Sequence, residues 1–209
     1  MAFLSAIQVQ ELGAIFERTL LLDTKPVPVV GYKRNKRQSD FTGSADYGWC
    51  ASRKMNYFGY KLVLVSTLTG IPLVYSLVPA STDERNAAES VLDCVRGYRI
   101  LADKGFIGAE WQTDISKSTG NQIFTPKRAN QFQQQPKAFK SLLNSLRERV
   151  EGVFNEVQNT GRNLERLLRR KVDALCVHVA SKMTSHTLRI FLRQRFGIDV
   201  LTFEQSSIS

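Results

Sequence analysis

The sequence has few of the residues that build disulfide frameworks and structural zinc sites. Among 209 residues there are three cysteines and two histidines. Cys50, Cys94 and Cys176 lie far apart without a Cys-x-x-Cys pair, and neither they nor His178 and His186 have the spacing of a structural zinc site. The odd number of cysteines also argues against a disulfide framework. We expect reduced thiols packed inside the fold or close to it; a cysteine–histidine nucleophile pair is the weaker alternative.

Long apolar runs are also lacking. No stretch approaches the ~20 apolar residues that a helix needs to cross a bilayer, and residues 1–10 lack the pattern of a signal peptide. Hydrophobic residues make up 43% of the chain and charged residues 23%, which is ordinary for a folded soluble protein. The length suits one well-buried domain. These features predict a cytoplasmic protein without a membrane partner.

Acidic residues are scarce relative to basic ones. There are 19 Asp and Glu residues against 29 Lys and Arg residues, which gives a net charge of +10. Such an excess favours a polyanionic partner, because each neutralised phosphate releases counterions. A basic surface with no special role explains the charge equally well, so charge alone does not decide for nucleic acid.

The apolar pattern predicts a strand-rich first half. We expect strands over 20–30, 60–67, 71–78, 98–102 and 122–125. The second and third should form a hairpin whose turn ends at Gly70, which is free to take a positive φ. Pro26 and Pro28 predict that pairing of the first strand stops soon after Asp23.

The second half is predicted to be helical. One helix is expected earlier, over 86–95 with Thr82 or Asp83 as its cap, and others over 136–159, 164–180 and 187–196. The order is three strands, a helix, a strand, a helical excursion, a strand and then helices. It predicts a mixed α/β fold of the ribonuclease-H-like type, in which an antiparallel hairpin and parallel strands are flanked by helices.

Two aspartates follow apolar strand segments. Asp23 ends the run 20–22, and Asp103 ends the run 100–102. Acids at strand ends lie at the rim of a sheet, where ligands bind. Each aspartate taken singly is more typical of a turn-forming residue.

A third acid, Glu151, stands out in a helical pattern. It borders an apolar stripe and shares a polar column with Arg147 and Gln158, whereas Glu148 points away and Glu156 lies on the outer side. An i, i+4 ion pair between Arg147 and Glu151 is the alternative role. Five residues form the stripe: Leu146, Val150, Val153, Phe154 and Val157.

Such a trio suits metal-dependent phosphodiester chemistry. Two or three carboxylates can bind a pair of Mg²⁺ ions through their oxygen atoms, with the two ions roughly 3.5–4 Å apart. One ion helps to deprotonate an attacking water or 3′-hydroxyl, and the other stabilises the leaving oxygen. The trio therefore predicts cleavage and strand transfer without a covalent enzyme intermediate.

Five sequence blocks, in order from about Leu20 to His178, resemble the DDE transposases of bacterial insertion sequences. "LLDTKPVPV" resembles the strand of the first aspartate, with its Asp-Ser/Thr-x-Pro pattern. "YFGYKLVLVSTLTGIPLVYSLVPASTDER" resembles the hairpin and the loop after it. "ILADKGFIG" resembles the block of the second aspartate, "IFTPKRANQ" the next strand, and "LRERVEGVFNEVQN" the glutamate helix. The spacings between the acids are those expected of such a domain.

The resemblance implies specific roles. Asp23, Asp103 and Glu151 would be the catalytic ligands of two Mg²⁺ (or Mn²⁺) ions. The implied partner is double-stranded DNA, both element ends and target, bound by a homodimer associated with the nucleoid. Four residues are implied as DNA contacts, of which the last could instead orient Glu151: Lys104, Lys127, Arg128 and Arg147.

The resemblance also implies a domain division. The family carries a long helical region before its first aspartate, so residues 1–19 are expected to be the remnant of a truncated one. Residues 20–180 would form the catalytic domain and 181–209 a C-terminal helix and tail. The predicted function is DNA transposition by a mobile element. An inactive DNA-binding relic is the main alternative, and a ribonuclease-H-like host nuclease that cuts without strand transfer is the other.

Overall fold

A computed structural model describes residues 11–29, 40–50, 54–127, 136, 141, 145, 148, 152–157, 171–198 and 200. Its centre is one six-stranded sheet. The strands are β1 (Thr19–Pro28), β2 (Asp46–Cys50), β3 (Met55–Thr67), β4 (Pro72–Pro79), β5 (Arg99–Ala102) and β6 (Gln122–Phe124).

The sheet combines antiparallel and parallel pairs. β3 lies antiparallel to β1 on one side and to β2 and β4 on the other, since Gly59 pairs with both Pro28 and Asp46. β5 lies parallel to β1, and β6 lies parallel to β5. The predicted hairpin is β3–β4, and Gly70 in its turn has φ +91°. The mixed sheet with flanking helices confirms the predicted fold class.

The prediction about the two prolines of β1 is wrong. Pairing with β3 continues to Pro28, although pairing with β5 ends at Leu22. The backbone N–H of Val29 donates to the carbonyl of Phe58 in β3. Because N–H groups alternate in direction along a strand, the nitrogens of Pro26 and Pro28 point away from β3. Neither proline therefore removes a hydrogen bond from the β1–β3 ladder.

Three helices whose whole length lies in the described ranges flank the sheet: α1 (Glu84–Leu92), α2 (Ala109–Thr119) and α3 (Val172–Phe196). Asp83 is the N-cap of α1, and its side chain accepts a hydrogen bond from the backbone N–H of Arg85. One of the two predicted caps is thus correct, and the helix begins two residues earlier than expected. Residues 152–157 are helical as well. Short 3₁₀ turns occur at Ala14–Phe16 and Lys104–Phe106.

The predicted break between helices at 180 and 187 is wrong, because α3 runs through it. The polar stretch there suggested a loop, but its hydroxyls bond within the helix. Ser181 Oγ donates to the carbonyl of Val177, and Thr187 Oγ1 donates to that of Met183. The ring of His186 bonds to the hairpin turn. The proposed domain division stays a prediction.

Each face of the sheet has its own core. One core contains Leu21, Leu64 and Leu175 of α3 together with residues of the segment 152–157. The other contains Leu20, Leu22 and residues of α1. Side chains of neighbouring strand residues point to opposite faces, so β1 serves both cores. We call the first the α3 face and the second the α1 face.

Two further expectations concern the cysteines and the lack of membrane-spanning helices. All three cysteines are free thiols; Cys50 is buried, whereas Cys94 and Cys176 are exposed. Within the described part of the chain, no helix is long and apolar enough to span a membrane.

Candidate active site

The sheet brings Asp23 and Asp103 to neighbouring positions. Leu22 pairs with Ala102 at the last rung of the parallel β1–β5 ladder. Asp23 and Asp103 are the next residues of the two segments, and Asp103 keeps an extended backbone (φ −75°, ψ 176°). Adjacent strands lie about 4.8 Å apart. The two carboxylates therefore occupy adjacent places where β5 ends.

Both aspartates belong to the α3 face. Leu22 and Ala102 pack in the core of the α1 face, whereas Leu21 and Leu101 pack on the α3 face. By alternation Asp23 follows Leu21, and Asp103 follows Leu101. Asp23 is half-buried, and its Oδ1 accepts a hydrogen bond of 2.7 Å from the backbone N–H of Thr24.

The helical segment 152–157 lies on the same face. Val153, Phe154 and Val157 are buried there, as the stripe predicted. The ammonium of Lys25, two residues after Asp23, lies 5.7 Å from the centre of the Phe154 ring. Glu148 is exposed, as expected. Glu151 itself falls outside the described residues.

A buried polar cluster attaches this segment to α3. His186 is 1% exposed, and its Nε2–H donates to the carbonyl of Gly70 over 3.0 Å. Glu156 Oε2 lies 3.6 Å from His186 Nδ1 and 3.7 Å from a guanidinium nitrogen of Arg189. Burial lowers the pKa of His186, and this effect outweighs the nearby Glu156 carboxylate. His186 is therefore held as the neutral imidazole.

The predicted basic residues are placed in part. Lys104 is exposed in the turn directly after Asp103. Lys127 is half-buried and comes three residues after Phe124, which pairs with Leu101 at the end of β6. Both are therefore close in sequence to the strand ends near Asp103. Arg128 and Arg147 lie outside the described residues.

One carboxylate near this edge did not stand out in the sequence. Glu84, in the first turn of α1, accepts a hydrogen bond of 3.2 Å on Oε1 from Thr24 Oγ1. Its carboxylate also packs directly against Gly105, where a Cβ atom would overlap it. The available signal was indirect: Thr24 and Gly105 both belong to the blocks around the two aspartates.

The carboxylates at this end of β5 supply part of the ligand set that a hard divalent cation needs. Carboxylate oxygens are the ligands that Mg²⁺ and Mn²⁺ prefer, and two carboxylate-bearing positions are adjacent at the end of β5. No group of three His, Cys, Asp or Glu residues able to hold a metal forms among the described residues.

Comparison with models of known protein families finds a match that covers most of the chain. The model of a family described as "Transposase DDE domain" matches residues 15–198. No curated protein matches the sequence significantly. The matched range includes every described strand, all three helices and the segment that contains Glu151.

Proposed function

The chain belongs to the transposase DDE domain family, and we propose that it is the catalytic domain of a DNA transposase. In this proposal it performs metal-dependent phosphodiester cleavage and strand transfer. The observation that carries the proposal is the position of Asp23 and Asp103, which occupy adjacent places on one face of the sheet where β5 ends.

We propose Glu151 as the third carboxylate. The described residues that follow it support this role, because Val153 and Phe154 pack on the face of the two aspartates. Phe154 contacts Lys25. Lys25 comes two residues after Asp23 in β1, so the two side chains point to the same face of the sheet. The ion pair between Glu156 and Arg189 of α3 would hold this helical segment in place, with Arg147 orienting Glu151 or contacting DNA.

When bound, two Mg²⁺ or Mn²⁺ ions would activate the attacking oxygen and stabilise the leaving one. The role of the chain's own residues is to hold the carboxylate ligands in place and to orient them. Asp23 supplies a carboxylate from within β1, and Asp103 supplies one directly after the end of β5. The sheet fixes both positions, so little rearrangement is needed before reaction. The N–H of Thr24 holds Asp23 Oδ1 in one orientation.

The proposed substrate is double-stranded DNA, both element ends and target, bound by a homodimer on the nucleoid. The net charge of +10 favours a polyanion. Lys104 is an exposed cation beside Asp103, and Lys127 and Arg128 follow the neighbouring strand. These three residues are the proposed phosphate contacts close to the scissile bond.

The direct test is nicking and strand transfer on a labelled duplex that contains an element end. We expect activity with Mg²⁺ or Mn²⁺ and none with a chelator. Asp103→Ala should abolish it while leaving the circular dichroism spectrum unchanged. Asp114→Ala, which removes an exposed carboxylate of α2, is the matched control and should remain active.

Three other results would each be informative. Unaltered activity in Asp103→Ala would exclude this site. Salt-sensitive DNA binding without cleavage under any metal condition would indicate an inactive DNA-binding relic. Cleavage without strand transfer would indicate a nuclease.

A further inference from the structure

Glu84 supports the aspartate edge from the α1 face of the sheet. Its partner Thr24 follows Asp23, so by alternation Thr24 points to the α1 face while Asp23 points to the α3 face. The 3.2 Å bond from Thr24 Oγ1 to Glu84 Oε1 agrees with this placement. Glu84 is thus behind the two aspartates, on the side away from the segment 152–157.

The same carboxylate occupies the space that a side chain at residue 105 would need. A Cβ atom at Gly105 would overlap Glu84 Oε2 and lie 2.6 Å from Glu84 Cδ. Gly105 is absent from the glycines with positive φ, so its backbone does not need glycine. The requirement at this position is space for the Glu84 side chain. Gly105 comes two residues after Asp103, and Thr24 comes one residue after Asp23.

The first turn of α1 is itself firmly placed. Asp83 caps the helix, and Ala87 and Ala88 in the next turn are buried against the sheet. The ammonium of Lys61 in β3 donates to the carbonyl of Thr82 over 2.6 Å. Glu84 therefore projects from a rigid base. We use the term strut for Glu84 together with its contacts to Thr24 and Gly105, and a strut between two segments requires such a base.

We propose that Glu84 is a positioning residue that ties the Asp23 segment to the Asp103 segment and so sets the separation of the two carboxylates. The role rests on the proposed function, since it concerns the same site. Glu84 acts through Thr24 and Gly105, and its location on the opposite face separates it from direct metal coordination.

The chemistry of the strut predicts which replacements it tolerates. Thr24 Oγ1 needs an acceptor, and the amide oxygen of glutamine also accepts. Glu84→Gln should therefore retain most of the function, whereas Glu84→Ala should lose it. In the same way Thr24→Ser keeps the donor, and Thr24→Val removes it while conserving volume.

The test is a double-mutant cycle read by Mn²⁺ binding, measured by calorimetry on the full chain. Residues that support metal ligands typically contribute 10- to 100-fold to metal affinity. We expect Glu84→Ala and Gly105→Ala each to weaken Mn²⁺ binding at least 10-fold. Because the added methyl only displaces Glu84, Gly105→Ala should cost nothing further in the Glu84→Ala background.

The matched control is Glu89→Ala on the same helix. Glu89 is exposed, and its Oε1 accepts a 3.2 Å bond from Trp111 Nε1, away from Thr24 and Gly105. This variant should bind Mn²⁺ as the unaltered chain does. Wild-type affinity in Glu84→Ala, or losses in the double variant that multiply, would overturn the proposal.

Hydrogen exchange separates failure of the strut from failure of the proposed function. Glu84→Ala should speed amide exchange in residues 103–108 at least tenfold, whereas Glu89→Ala should not. If the unaltered chain binds no Mn²⁺, the metal-dependent function is wrong, and this exchange result still decides whether Glu84 ties the segments. Unchanged exchange in Glu84→Ala would reject the strut in either case.

Discussion

Asp23 and Glu84 are both half-buried carboxylates at the same edge of the sheet, yet the fold gives them different surroundings. Asp23 lies on the α3 face with Asp103, and Glu84 reaches Thr24 from the α1 face. One residue along a strand reverses the face. The candidate ligands are therefore distinguished from the supporting carboxylate by strand alternation.

His186 makes stability depend on pH. Folding lowers its pKa below the ordinary value of 6.5, so the unfolded chain binds the proton more tightly. Its contribution is complete above pH 6.5 and is lost as the pH falls through the lowered pKa. We expect the free energy of unfolding, measured by urea denaturation, to fall by up to about 1.4 kcal/mol per pH unit from this group.

Replacement of His186 checks this prediction. Between pH 6.5 and 5, His186→Gln should flatten the pH dependence, because glutamine can donate to the Gly70 carbonyl without titrating. Equal slopes in the unaltered chain and His186→Gln would show that another group is responsible.

At the scale of elements, two glycines should respond to alanine in opposite ways. Gly70 has φ +91°, and a Cβ atom there would lie 3.0 Å from Val153 Cγ2. Gly70→Ala should destabilise the fold by about 1–2 kcal/mol. Gly152 is helical, and no described atom lies within 4 Å of a Cβ added to it. Gly152→Ala should stabilise by about 0.5–1 kcal/mol.

Urea denaturation of both glycine variants checks this pair. Because Gly70 in the β3–β4 turn faces Val153, the comparison also tests whether the hairpin and the segment 152–157 are in contact. Effects of the same sign, or a neutral Gly70→Ala, would contradict the described packing.

Sequence patterns located most elements because apolar periodicity follows burial. Strands such as β4 were found for this reason, whereas the cap at Asp83 was found from the preference of aspartate for helix N-termini. β2 was missed because it has only five residues and lies in a largely polar part of the sequence, and its aromatic side chains Tyr47 and Trp49 are exposed. The continuity of α3 was missed because hydroxyls that bond within a helix look the same in sequence as those of a loop.

The site was predictable as a set of residues but not as an arrangement. Strand ends indicated Asp23 and Asp103, whose neighbouring positions depend on the β1–β5 register. Glu84 was out of reach, because its hydrogen bond with Thr24 joins residues 60 apart in the chain. The roles of all the candidate site residues, including Asp23 and Asp103, stay predictions.

At the scale of the whole molecule, the excess of basic residues should govern DNA affinity. Exposed Lys104 is the proposed phosphate contact nearest Asp103. Exposed Lys117 lies in the last turn of α2, toward the end of the sheet where β5 and β6 begin. We expect Lys104→Gln to lower the slope of log affinity against log salt by about one, and Lys117→Gln to leave it unchanged. Fluorescence anisotropy at several salt concentrations measures both slopes, and equal slopes would remove Lys104 from the interface.

The central claim is that Asp23, Asp103 and Glu151 hold metal at one place. When hydrogen peroxide and ascorbate are added, Fe²⁺ bound in place of Mg²⁺ reduces the peroxide to hydroxide and a hydroxyl radical that cuts the backbone close to the ion, and ascorbate restores the Fe²⁺. The account predicts cuts within residues 21–25, 101–105 and 149–153, all lost in Asp103→Asn and retained in Asp114→Asn. Cuts confined to other segments, or cuts that survive Asp103→Asn, would contradict it.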